Sequence, residues 1–392
     1  MKSFEGRFFW VFYLYFFSGL PLGFFYTFLP VYFRFQGVDL VSIGLLSSAS
    51  IFWSLKPLWA PLIDKYSQKK NWMAFSLLGI STTIFLLSLS NYDVSQLWLL
   101  LSLLTFFSAL FDTALDGFII DYIPPEKLAS ANGLRLSAYR IALIFSGGVL
   151  TAISEYLQFK FIFQILAFIS LFAALLIITN KSLQVTSKPQ KILSLKEQYL
   201  QPLKEIMERE KIVLIFLFIA TYKVGDALLG GMIYPFWVDR GFSRLEIGLI
   251  SGTLGSMLTI AGSLFGGFFV TKYGLRRSLL FLGFLQAFSN LGYTLVALPE
   301  IDKKWVYLAS AIESLTGGMG TSAFVTFLTF NSKREFSSTQ YALFSTLFSL
   351  TMTFSRTISG WGASQLGYFN FFGLTFLIAL LPLPLVRAIV KN

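Results

Sequence analysis

NKSLQVTSKPQKILSLKEQYLQPLKEIMEREK, residues 180–211, is the one long polar stretch in an otherwise apolar chain. On either side of it, apolar segments alternate with short charged or Pro/Gly/Asn-rich breaks, and a helix needs about 20 such residues to cross ~30 Å of hydrocarbon. Six segments precede the polar stretch, approximately 8–31, 43–63, 72–90, 98–121, 134–153 and 161–179. Six follow it, approximately 212–236, 245–270, 278–298, 305–330, 341–363 and 370–387. The reading is an all-α membrane protein of twelve transmembrane helices in two pseudo-symmetric six-helix bundles, 1–179 and 212–392, joined by a cytoplasmic linker, 180–211. The first segment follows MKSFEGR and is too long for a signal-peptide core, so it reads as an uncleaved span.

Composition agrees. Hydrophobic residues make up 55% of 392 positions and charged residues 13%, against roughly 25% charged in soluble domains; mean hydropathy is +0.68. The net charge of +11 lies in short loops between apolar runs, not in a stripe on a polar surface, which argues for topology and against a nucleic-acid partner. With the N-terminus inside, 21 of the 31 Lys and Arg fall on the cytoplasmic side and 6 outside, which predicts both termini in the cytoplasm.

The chain has no His and no Cys. His- or Cys-ligated metals, His-bound haem, disulfides, thiol nucleophiles and Ser-His catalysis are therefore excluded. No glycine loop ends in Lys-Ser/Thr, so ATP drive has no motif and no cofactor is expected beyond an ion gradient. An enzyme built on paired aspartates would need a polar site facing the headgroups, and the chain offers none.

The two halves repeat each other. Pro30, Gly37, Ile43, Gly44, Leu45, Asp64, Lys65, Tyr66, Lys69 and Lys70 correspond to Pro235, Gly241, Ile247, Gly248, Leu249, Thr271, Lys272, Tyr273, Arg276 and Arg277, at offsets of 204 to 207. Six spans per copy give both halves one orientation, as in a fold duplicated about an axis normal to the membrane.

APLIDKYSQKK after span 2 and GGFFVTKYGLRR after span 8 resemble the loop motif of the major facilitator superfamily, with Ser67 and Thr271 departing from it. Within that superfamily, SGLPLGFFYTFLPVYFRFQGVDLVSIGLL, FDTALDGFIIDYIPPEKLASANGLRLSAYR, YKVGDALLGGMIYPFWVDRGFSRLEIGLI, FLQAFSNLGY, ESLTGGMGTSAFVTFL and SSTQYALFS resemble the AmpG-type muropeptide permeases and the related acetyl-CoA transporter branch. The resemblance implies a proton-coupled importer of anhydro-muropeptides in the bacterial inner membrane. It also implies a central cavity lined by spans 1, 4, 7 and 10, and a cytoplasmic gate at Asp64, Lys65, Lys272 and Arg276. A carrier of acyl-CoA-like anions and an exporter of drugs or amphiphiles remain alternatives on the same fold. The expected partners are an amphiphilic or anionic small molecule and the lipid bilayer, with no obligatory protein partner.

Charges inside spans cost ~2.5–3.5 kcal/mol each on insertion scales, so each one asks for a partner or a function. Asp112 and Asp116 are four residues apart, hence about 40° apart on one face of span 4. They carry either proton or substrate, or belong to a network with Arg140, Lys223 or Lys56. Asp121 lies on the opposite side, at the rim. Lys223 and Asp226 on span 7 are spaced to pair, and Glu313 on span 10 is a lone acid before GGMG. With no His, the candidate proton carriers are Asp112, Asp116, Asp226 and Glu313.

Lys56, Lys223, Arg140 and Arg356 either bind an anionic substrate or neutralise the acids. Gln286 and Asn290 share a face of span 9 and serve substrate or interhelical contact. Tyr26 and Tyr222 are placed to stack on sugar rings. The 45 Phe residues are expected mostly to face lipid.

Overall fold

The computed structural model describes residues 2–56, 58–59, 63, 68–90, 93–124, 128–183, 201–332 and 337–390. Helices account for almost all of them. The first half holds α1 (Gly6–Phe35), α2 (Leu40–Ser54), α3 (Lys69–Leu87), α4 (Val94–Tyr122), α5 and α6 (Phe159–Thr179). Helix α5 runs from Leu128–Leu143 through a π-helical turn, Ile144–Val149, into Leu150–Ile153. The second half holds α7 (Ile212–Asp239), α8 (Arg244–Tyr273), α9 (Leu275–Val296) and α10 (Trp305–Phe330). Helices α11 (337–366) and α12 (368–380) are parted at Gly367, whose φ of 71° breaks the helix where a side chain would strain the backbone.

Among the described residues nine stretches are long and apolar enough to cross a membrane, with 340–389 counted as one, and Leu40–Ser54 is a shorter apolar helix. Helix α10 is 26 residues long, and its polar ESLTGGMGTS run lowers its hydropathy. The helices thus match the twelve expected spans. One break was not expected. Helix α7 is interrupted at Tyr222 and Lys223, between Ile212–Thr221 and Val224–Asp239.

The chain divides into two compact units, 1–190 with 241–253, and 191–240 with 254–392. In the first, α1 lies against α5, α3 against α4 and α6, and α2 against α4. The second repeats the scheme six helices on, with α7 against α11, α8 against α10, and α9 against α10 and α12. Without a hydrophobic drive between helices in lipid, such contacts rely on close packing of small residues. A Cβ added at Gly262 of α8 would come within 2.0 Å of the Leu315 carbonyl of α10, a distance that only glycine permits.

Three π-helical turns meet in the first unit: Phe24–Phe28 in α1, Ile144–Val149 in α5 and Ile247–Leu254 in α8. Gly147 lies against Thr27, Gly252 against Gly148, and Gly248 against the backbone of Ala152. Glu155 tightens this seam by accepting from the Arg244 and Leu245 amides at 2.9 and 3.3 Å, which supplies a carboxylate to the N-terminus of α8. The Arg244 guanidinium covers the rings of Phe159 and Phe35 at 5.0 and 5.6 Å.

Basic residues close helix C-termini in the same way. Arg7 donates to the Tyr122 carbonyl of α4, and Lys70 donates to Ile178 and Asn180 at the end of α6. Phenylalanine does not behave as expected. Phe161, Phe168 and Phe172 are exposed along one face of α6, yet Phe24, Phe28, Phe163, Phe218, Phe324 and Phe327 are fully buried, many in edge-to-face pairs. Both halves use these rings to fill space between helices.

Candidate transport site

In the first unit the two acids of α4 have separate partners. Asp112 is buried; it accepts from Lys56 Nζ at 2.7 Å and from Ser18 Oγ of α1 at 2.5 Å. Asp116, one turn further on, accepts from Tyr15 Oη of α1 at 2.9 Å and pairs with Arg135 of α5 at 3.0 Å. The Arg135 guanidinium also lies 4.7 Å above the Tyr15 ring. Asp116 therefore joins α1, α4 and α5, whereas Asp112 joins α1, α4 and the segment after α2.

The two pairs differ in exposure. The Asp112 side chain is 10% exposed, while those of Asp116 and Arg135 are 47% and 41% exposed. The pair of Asp116 and Arg135 is thus the more open of the two. Asp121, on the other side of α4, takes Lys69 Nζ of α3 at 2.8 Å, as suits a rim residue.

In the second unit, the break in α7 places Asp226 in the first turn of Val224–Asp239, where the helix dipole favours a carboxylate. Lys223 Nζ pairs with Asp226 at 3.0 Å and also reaches the Gly317 carbonyl of α10 at 3.5 Å. Gln286 of α9 donates to the same Asp226 oxygen. Gly320 makes room for Gln286, since a Cβ there would overlap the amide oxygen. Glu313 lies one turn before Gly317 on α10 and is half-buried. It accepts from Ser314 Oγ at 3.4 Å and forms no ion pair among the described residues.

Other expected residues fall as follows. Tyr26 is half-buried, 5.6 Å from the Trp53 ring. Tyr222 is packed in the core, stacked on Phe324 with its hydroxyl donating to the Leu279 carbonyl, which leaves its ring no face for a sugar. Asn290 is buried and donates to Thr375 of α12 at 3.3 Å, an interhelical contact. Arg140 is half-buried on α5, and Arg356 is half-buried on α11 with its backbone near Gly231 of α7. Lys272 lies over the rings of Tyr273 and Phe268, and Arg276 opens α9. Asp64 and Lys65 lie outside the described residues.

Sequence reasoning missed Arg135, Tyr15 and Ser18. Arg135 stands at the expected start of span 5, where a cation reads as a boundary charge; the structure puts it inside a helix starting at Leu128. Its place two residues before the helical run SAYRIAL, residues 137–143, was the available signal.

Each unit holds ion pairs on closely packed or broken helices, Asp112 with Lys56 and Asp116 with Arg135 in the first, Lys223 with Asp226 in the second. The Major Facilitator Superfamily model matches residues 11–355, and the chain belongs to that superfamily. It is a multi-pass membrane transporter of the secondary type, with a small-molecule substrate. The anhydromuropeptide permease of Escherichia coli (strain K12) is 30% identical over 366 residues, covering 91% of this chain and 74% of that protein. Among solved structures, a bacterial homologue of the human lysosomal transporter Spinster aligns with a TM-score of 0.82 at 13% identity, over 98% of this chain and 96% of its own. The nucleoside transporter NupG aligns at 0.76 and 14% identity, over 97% and 98%. At these identities the two structures speak for the fold alone.

Proposed function

We propose that this protein is a proton-coupled importer of anhydro-muropeptides in a bacterial inner membrane, with both termini cytoplasmic. The observation that carries the substrate is the 30% identity to the anhydromuropeptide permease over most of the chain. The site chemistry fits it. A muropeptide brings sugar rings and peptide carboxylates, and Arg135, half-exposed beside Tyr15, offers a bidentate donor for a carboxylate.

Glu313 is the favoured proton carrier. A carboxyl in no ion pair among the described residues takes up and releases a proton without breaking a salt bridge, whereas Asp112, Asp116 and Asp226 each hold a cation. Asp226 and Lys223 then sense the charge on Glu313 through the Gly317 backbone. Asp112 with Lys56 ties helices together. The halves 1–179 and 212–392 alternate access, and no nucleotide or metal is required.

The test is uptake of labelled anhydro-disaccharide-peptide into proteoliposomes, with and without an imposed pH gradient. Gradient-dependent accumulation is expected. Absence of uptake by folded, reconstituted protein, together with uptake of an acyl-CoA or an amphiphile, would reassign the substrate and leave the fold as it is.

A further inference from the structure

In the second unit one cation and two carboxylates meet at Gly317 of α10. Lys223 lies in the break of α7, at φ −111° and ψ 7°, so its side chain starts outside regular helix. Its Nζ is 3.0 Å from Asp226 Oδ2 and 3.5 Å from the Gly317 carbonyl. Glu313 reaches the same place from one turn back: a Cβ added at Gly317 would stand 3.6 Å from Glu313 Oε1 and meet nothing else within 4 Å. Asp226 and Lys223 are the charges that act on Glu313 among the described residues. On the helices packed against α10, α8 has no charged residue between Glu246 and Lys272, α9 brings Arg276, Arg277 and Tyr293, and α11 brings Tyr341 and Arg356. Asp226 does not depend on Lys223 alone. Gln286 donates to the same oxygen, and the carboxylate stands in the first turn of Val224–Asp239, where the helix dipole favours it.

These contacts allow an exchange of partners. A lysine ammonium is a compact charge on a flexible stem, and one helical turn is about 5.4 Å. We propose that Lys223 changes partner with the protonation of Glu313: it pairs with Asp226 while Glu313 is neutral, and moves to Glu313 once that carboxyl has released its proton. Gln286 then holds the Asp226 carboxylate, which stays ionised, and Gly317 leaves the side of Glu313 open to the ammonium. Gln286 and Gly317 are thus positioning residues for the coupling step. The exchange rests on Glu313 as the proton carrier.

The experiment is infrared difference spectroscopy on the full chain in lipid at neutral pH, reading the protonated-carboxyl band that Glu313→Gln removes. Asp226→Asn leaves Lys223 with Glu313 alone, so it should lose that band. Adding Gly317→Ala to Asp226→Asn should restore the band, because the new methyl stands against Glu313 Oε1. Gly317→Ala by itself has room, so it should keep the wild-type Tm and exchange of labelled for unlabelled anhydro-muropeptide while losing gradient-driven accumulation. Gln286→Leu should lose accumulation in the same way, since Lys223 is then the one side-chain donor left to Asp226. A purely structural role for either residue would lower Tm and exchange together and leave the band alone. The infrared readings need no substrate. A wild-type protein with no band for Glu313→Gln to remove would refute Glu313 as the carrier, and the exchange with it. A band that persists in Asp226→Asn, or full accumulation in Gly317→Ala, would overturn the exchange of partners alone.

Discussion

Arg135 of α5 and Asp116 of α4 form an ion pair at 3.0 Å that leaves both side chains more than two-fifths exposed. One turn back on the same face of α4, Asp112 is closed in by Lys56 and Ser18. The same residue type one turn apart thus sits in two settings: a half-exposed pair with Arg135, and a buried tie between helices.

Variants of the two pairs should therefore separate. Arg135→Gln removes an exposed pair worth ~0–1 kcal/mol, so Tm should barely move while uptake falls by an order of magnitude or more. Lys56→Met leaves Asp112 buried beside Ser18 and should cost about 1–3 kcal/mol. Melting curves and initial uptake rates on both variants decide this, and a large Tm loss in Arg135→Gln would make that pair structural.

Lys223 and Asp226 are more deeply enclosed, at 6% and 14% side-chain exposure. Lys223→Met should destabilise the second unit by ~3–5 kcal/mol, because it strands a buried carboxylate. Replacing both, with Asp226→Asn added, should recover much of that loss. Chemical denaturation in mild detergent gives the comparison, and equal losses in single and double variants would argue against the pair.

Gly248 and Gly230 offer an internal control on the packing of α8. A Cβ at Gly248 would meet the Ala152 backbone nitrogen at 2.3 Å, whereas one at Gly230 meets nothing within 4 Å. Gly248→Ala should lower Tm, and Gly230→Ala should be neutral or stabilising by up to ~1 kcal/mol. Paired Tm measurements settle it; a tolerant Gly248 would mean that the π-helical seam is loose.

Most of the fold was legible because spanning helices are written in hydropathy and the half-to-half repeat is written in Ile43, Gly44 and Leu45 against Ile247, Gly248 and Leu249. The Lys223 and Asp226 pair was legible too, since three residues of helix bring two side chains together. Arg135 was not, because a cation beside an expected span boundary looks the same whether it marks topology or reaches back into the bundle. The π-helical turns and the break at Lys223 escaped for a different reason: they answer tertiary packing against Ala152 and Gly317, which no local period records. Tyr222 misled because a tyrosine next to a charged pair reads as a site residue, while its hydroxyl is satisfied by the Leu279 carbonyl inside the core.

Glu313 carries the central claim, and proton movement during uptake tests it most directly. Proteoliposomes loaded with a pH-sensitive dye should acidify when anhydro-muropeptide is added outside the wild-type protein. Glu313→Gln should abolish that acidification and gradient-driven accumulation while retaining exchange of labelled for unlabelled substrate across the membrane. Acidification and accumulation at the wild-type rate in Glu313→Gln would contradict the account and move the coupling to another carboxylate.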